Sequence, residues 1–185
     1  MKIVIVGGVA AGASTAARAR RLDDQAEIVL LERSHHVSFA NCGLPYHVGG
    51  VITDRDRLLL HTPQSLKAML NLDVRVQNEV IAVDRAAHTV TVRDLAKGTT
   101  FVERYDKLVL CPGAGPIVPD LPGIKHPRIL VLRNVEDMDR IIAAVGGARR
   151  ATVIGAGFIG VEMAENLVHR GVGVDLIELQ PQILP

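Results

Sequence analysis

Residues Ala151 to Gly160 read A-T-V-I-G-A-G-F-I-G, a short apolar run that ends on three glycines spaced as G-x-G-x-x-G. Such a run has the length of a buried strand, and glycines directly after it let a strand turn sharply into a helix. The helix should run to about Arg170, and Gly173 to Glu178 reads as a second strand ending in an acid. In a βαβ unit of this kind the open N–H groups at the helix start meet the pyrophosphate of a dinucleotide, and the acid takes the ribose hydroxyls. Gly155, Ala156, Gly157, Phe158, Ile159 and Gly160 are therefore the candidate turn. Glu178 favours NADH over NADPH, because a carboxylate repels a 2′-phosphate.

The same grammar opens the chain. Lys2 to Val6 is a continuous apolar strand, and Gly7, Gly8, Val9, Ala10, Ala11 and Gly12 follow it. An alanine-rich helix to about Leu22 and a strand from Glu27 to Glu32 come next. Gly7 and Gly12 hold the first and third places of the motif, but Val9 stands in the middle one. Two readings remain: a second dinucleotide site with Glu32 on a ribose, or a strand-to-helix turn that binds nothing. The position of the turn and the acid at Glu32 favour the site. Ser14, Arg18 and Arg21 share one face of the first helix. On spacing alone a solvated basic stripe is the simpler reading there.

Between the two turns lies Ser38 to Gly50, S-F-A-N-C-G-L-P-Y-H-V-G-G, whose polar-then-apolar setting predicts a helix start at Cys42. Asp54 to Asn71 reads as a loop plus a short helix starting at Thr62-Pro63. Glu79 to Asp84 and His88 to Arg93 alternate like a hairpin, with Phe101 to Tyr105 as a third strand. Lys107 to Cys111 is apolar and ends on Pro112-Gly113-Ala114-Gly115-Pro116. Cys111 reads most simply as a small buried hydrophobe. Proline and glycine cluster from Gly115 to Gly123, and Asn134 caps a helix to Val145. The fold expected is α/β: a Rossmann-like domain over 1–114 with an inserted hairpin or meander, a connection over 115–147, and the start of a second Rossmann domain over 148–185. One strand–helix–strand does not complete such a domain, so the chain reads as the front of something longer.

Composition sets the frame. The chain has 185 residues, 48% hydrophobic and 22% charged, which is the globular class, and its net charge of +1 gives nucleic acid or a membrane surface no electrostatic handle. No Trp, two Tyr and three Phe leave Val, Ile, Leu and Ala to build the core, the palette of sheets buried on both faces. Two distant cysteines make neither a disulfide framework nor a metal-ligand spacing, and Ile3 to Val6 is too short for a signal sequence. The expected compartment is the cytoplasm, with no metal. Two dinucleotide turns around one isolated thiol suggest a flavin, a nicotinamide and a sulfur substrate.

These motifs in this order, together with S-F-A-N-C-G-L-P-Y, resemble the FAD-dependent pyridine nucleotide-disulfide oxidoreductases that use one redox-active cysteine. The similarity is greatest to coenzyme A-disulfide reductases and NADH-dependent persulfide or polysulfide reductases, and it spans essentially the whole chain. It implies that Gly7 to Gly12 and Glu32 bind FAD, with Arg33, Asn41, Val80, Pro112, Gly113 and Ala114 along its length. It implies NADH, or NADPH, at Gly155 to Gly160 and Glu178, with Phe158 and Glu162 towards the nicotinamide. Ser14, Arg18, Arg21, Ser38 and Asn41 match positions that contact coenzyme A, as substrate or bound cofactor, and this turns the reading of the basic face towards function. Cys42 matches the redox cysteine. A lysine that contacts coenzyme A in some members falls at Leu70 here, and the second cysteine of the two-cysteine enzymes falls at His47.

The chemistry so implied is transfer of electrons from NADH through the flavin to sulfur at Cys42, whose thiolate is the competent nucleophile. The partner is a small sulfur compound, and the whole protein is expected to be a homodimer. Two alternatives stand beside it: an NADH oxidase or peroxidase cycling Cys42 through a sulfenic acid, and a nucleotide-binding fragment without turnover.

Overall fold

The computed structural model describes residues 1–184. Along the chain run β1 (Lys2–Val6), α1 (Ala10–Leu22), β2 (Glu27–Leu31), α2 (Leu44–Val48), α3 (Pro63–Leu70), β3 (Asp73–Arg75), β4 (Asn78–Asp84), β5 (Thr89–Asp94), β6 (Thr99–Arg104), β7 (Lys107–Leu110), α4 (Val135–Val145), β8 (Arg150–Ile154), α5 (Phe158–His169) and β9 (Gly173–Ile177). They form two compact units. One joins Met1–Phe39 to Leu59–Ala114, and the other joins Ala40–Leu58 to the chain from Gly115 onward.

The first unit is a parallel sheet in the order β3-β2-β1-β7 with an antiparallel meander β4-β5-β6. Its central strands are apolar on both faces because both are covered. Ile3 and Ile5 of β1 and Ile28 and Leu30 of β2 pack with Ala16 of α1 and Leu66 of α3. The alternate residues Val4, Val29 and Leu31 pack with Val90 and Val92 of the meander. The period of two thus sends each strand into two cores, and a continuous apolar run results. Mixed α/β architecture with a Rossmann-like parallel sheet is as the sequence led us to expect.

Two details differ from the sequence reading. The short strand β3 was not expected; its Val74, with Leu72 and Val76 flanking the strand, alternates into the core beside β2, and three residues are too few to carry a periodic signal. The helix expected at Cys42 begins later: Asn41–Gly43 is a single 3-10 turn, and the α-helix starts at Leu44 with Pro45 in its first turn. The cap signals were legible. Thr62 and Asn134 each close a full capping box, on α3 and α4.

In the second unit β8 and β9 pair in parallel, and α2 lies against both α4 and α5. No helix among the described residues is long and apolar enough to cross a membrane.

The meander is tied to the parallel sheet by charge. Lys2 Nζ on β1 lies 2.6 Å from Glu27 and 2.7 Å from Glu103 on β6, and Arg75 on β3 pairs with both Asp73 and Glu103. Burial pushes the Glu103 carboxyl up, but hydrogen bonds from Lys2 and Arg75 outweigh it and hold the group below its usual value. A carboxyl lowered in the folded state stabilises above its unfolded value, about 4.3, and loses that stabilisation as pH falls through its folded value. Glu103→Gln is expected to cost about 1–3 kcal/mol at neutral pH, between exposed and buried pairs. The difference from wild type should shrink as pH drops below about 4. Urea denaturation of both proteins at neutral and acid pH measures it.

Candidate functional site

The two glycine turns are built alike. Gly7 N donates to Leu31 O and Gly155 N to Ile177 O, each at 2.8 Å. Glu32 accepts from Gly8 N and Ser34 N, both at 2.8 Å. Glu178 accepts from Ala156 N at 2.6 Å and Gln180 N at 2.8 Å. In each turn one acid at the end of the second strand thus holds the amide that follows the first glycine. The Gln180 and Ala156 amides keep the Glu178 carboxyl below its usual range.

The glycines divide by what requires them. Gly7 and Gly155 have φ of +94° and +96°, the left-handed region that glycine tolerates. A Cβ on Gly12 would run into the carbonyl of Gly7, and one on Gly160 into the carbonyl of Gly155. The middle position is different. A Cβ on Gly157 would meet nothing within 4 Å, so nothing in the packing demands glycine there, and Val9 occupies the matching place in the first turn.

Among the described residues four α-helices have eight residues or more, and their N-termini fall into two classes. Those of α3 and α4 are closed by side chains, whereas α1 and α5 have no side-chain cap and no acid in the first turn. Of these four, only the two that follow the paired glycine turns start without a side-chain cap or a first-turn acid. That arrangement fits a phosphate-bearing group at either turn.

The first unit holds several of the expected residues. The Cys111 carbonyl packs against Gly7, so the exposed Pro112, Gly113 and Ala114 begin beside it. Ser38 donates its N–H to Gly8 O at 2.8 Å and accepts from Leu60 N at 3.0 Å, which holds it at φ +46°. Ser14, Arg18 and Arg21 lie exposed on α1, Arg33 is exposed just past β2, and Val80 is half-buried against the meander core. Ala10 and Ala11 are exposed in the first turn of α1.

The second unit holds the rest. Asn41 and Cys42 are exposed on the 3-10 turn. A Cβ on Gly43 would lie 2.6 Å from a methyl of Leu58, so that side chain would have to shift to admit it. His47 Nδ1 donates to Ile52 O at 2.6 Å, so the residue five places after Cys42 serves the backbone. Phe158 and Ile159 are 78% and 59% exposed at the open start of α5, and Glu162 follows on that helix. Sequence reasoning missed Gly49, Asn166 and Arg170, which carry no motif and meet only in the fold. Among the described residues no three potential metal ligands converge.

The pattern of the family described as pyridine nucleotide-disulphide oxidoreductase matches residues 1–185. The chain belongs to that family. It is 41% identical over 184 residues to the coenzyme A disulfide reductase of Staphylococcus haemolyticus, covering 98% of this chain and 41% of that protein. Among solved structures it resembles a NAD-dependent persulfide reductase from A. fulgidus, at TM-score 0.95 and 37% identity, covering all of this chain and 35% of the other. It also resembles the water-forming NADH oxidase of Lactobacillus brevis bound to NADH, at TM-score 0.96 and 36% identity, covering all of this chain and 41% of the other. The chain thus spans about two fifths of the length of the curated relatives it matches.

The glycine classes give a paired test. Gly160→Ala should destabilise by about 2 kcal/mol or more, because backbone must move to admit the methyl. Gly157→Ala should leave stability within about 0.5–1 kcal/mol of wild type, the cost of N-cap propensity alone. It should nevertheless weaken binding of a dinucleotide whose phosphates approach that backbone. Thermal denaturation and NADH titration of both variants separate the two effects.

Proposed function

We propose that this chain is the nucleotide- and cysteine-bearing front of an FAD- and NADH-dependent reductase of small sulfur compounds, with Cys42 as its redox residue. The observation that carries it is one exposed cysteine, without a partner cysteine nearby in sequence, in a chain with two matched glycine turns before uncapped helices. The similarity to a coenzyme A disulfide reductase and a persulfide reductase supports that substrate class.

The residues divide the work. The amides of Gly7 to Gly12 and the start of α1 would hold the FAD pyrophosphate, with Glu32 oriented towards the adenosine ribose. Arg33, Val80 and Pro112 to Ala114 would follow the rest of the cofactor. Gly155 to Gly160 and Glu178 would do the same for NADH, whose uncharged 2′-hydroxyl suits a carboxylate better than the phosphate of NADPH. When bound, the two cofactors supply a hydride equivalent, that is, the electron pair needed to cleave one sulfur–sulfur bond.

Cys42 Sγ, as thiolate, would attack the outer sulfur of a disulfide, persulfide or polysulfide. One S–S bond forms and one breaks, and the leaving sulfur departs as thiolate or sulfide. The mixed disulfide or persulfide left on Cys42 then takes two electrons, which releases the second thiolate or sulfide and restores Cys42. Ser14, Arg18 and Arg21 on one exposed helix face, with Ser38 and Asn41, would receive the phosphates of a coenzyme A-bearing substrate. Leu70 stands where some members of the family have a lysine that contacts coenzyme A, and this favours a broader range of sulfur substrates. A homodimer in the cytoplasm is the expected setting.

Cys42→Ser in the full-length flavoprotein that carries this segment should keep its flavin absorbance and lose NADH-dependent reduction of coenzyme A disulfide by about 100-fold or more. Unchanged turnover would remove Cys42 from the mechanism. The likeness to an NADH oxidase favours a second reading, with oxygen or peroxide as the acceptor. NADH consumption that proceeds equally well without any sulfur substrate would select it.

A further inference from the structure

We infer that Arg170, Gly49 and Asn166 are positioning residues for Cys42, acting through α2; the inference rests on the role proposed above for Cys42. The 3-10 turn that carries Cys42 runs directly into α2, with Leu44 N donating to Asn41 O. Leu44–Val48 is one turn and a half of helix, too short to hold its own geometry. Its direction, and with it the place of the turn ahead, is set by what α2 is fastened to.

Two fastenings reach α2 from α5. Arg170, just past α5, donates from Nη1 to the carbonyl of Val48 at 2.6 Å. Val48 is the last residue of α2, and its carbonyl is one of those a helix end leaves without an intrahelical partner. A guanidinium is a strong, directional donor for it. The second fastening is steric. Gly49 packs on Asn166, where a Cβ would collide with Oδ1 and lie 2.9 Å from the asparagine Cβ. Asn166 is only 3% exposed and its Nδ2 donates to Glu162 O at 2.8 Å, so it is not free to swing aside. Gly49 is therefore glycine for closeness: its φ of −69° needs no glycine.

The far end of the same excursion is tied separately, Arg55 Nε and Nη2 donating to Asp139 of α4 at 3.0 and 2.8 Å. The cysteine turn thus lies on a short rod pinned at its carbonyl end by the helix that begins at the second glycine turn. Releasing the pin lets the rod tilt, which moves Cys42 and its neighbour Asn41 and leaves both glycine turns in place.

The test uses the full-length flavoprotein with Arg170→Met, Arg170→Lys and Gly49→Ala. Coenzyme A disulfide and NADH are the substrates, and iodoacetamide labelling of the Cys42 peptide, followed by mass spectrometry, reads its accessibility. Arg170→Met and Gly49→Ala should lower kcat about tenfold, as displacement of a reacting atom does. Both should change the Cys42 labelling rate, with flavin content and the KM for NADH within about twofold of wild type. Arg170→Lys, which keeps a donor for Val48, should recover most of kcat. Wild-type kcat and labelling in both variants overturns the inference. So does a loss of flavin content or of NADH affinity that parallels the loss of kcat, since that marks general support of the fold. Should Arg170→Met fail to fold, Gly49→Ala is read alone: lowered kcat with a changed Cys42 labelling rate supports the inference, and wild-type values for both overturn it. Cys42→Ser turnover tests the proposed function by itself, and Cys42 labelling tests placement by itself.

Discussion

The backbone of Gly12 rests against the carbonyl of Gly7, and that of Gly160 against the carbonyl of Gly155. Each helix can follow its strand at so short a distance only because no side chain stands in that contact. Everything around the turns depends on it. The strand delivers the first glycine in the left-handed region, the helix starts without a side-chain cap, and the acid of the next strand takes up the single amide that points back. A protein helix that needed only stability would be capped, as α3 and α4 are. Leaving four N–H groups open on α1 and α5 costs stability, and it is an arrangement suited to an anionic ligand.

The second organising constraint is the covering of both faces of the parallel sheet. Helices cover one face and the meander the other, so after their charged first residues, Lys2 and Glu27, β1 and β2 carry apolar side chains at every position. The meander is then held by an ion network at Lys2, Arg75 and Glu103, whose charges sit close enough to depress the Glu103 carboxyl despite its burial. Packing and charge here act on the same pair of layers.

Much of this was legible in the residues. Strand, glycines, helix and acid recur at Lys2 to Glu32 and at Ala151 to Glu178 because the geometry of the turn demands those residue types at those places. The helix starts at Thr62 and Asn134 could be read for the same local reason. What escaped was either too short or too distant. β3 is three residues long, and its place is set by pairing with β2. Cys42 proved to sit on a 3-10 turn because the α-helix waits until Leu44. Gly49 and Arg170 look like an ordinary loop glycine and a surface arginine until α5 is folded against α2.

Phe39 and Leu59 form an isolated antiparallel bridge, and between them the chain departs to join the second unit. The cysteine-bearing excursion therefore leaves and rejoins the first unit through one doorway, with its two ends side by side. Insertions with neighbouring ends can be exchanged without rebuilding the sheet that hosts them. One such cassette can thus be replaced while the parallel sheet and both glycine turns stay unchanged.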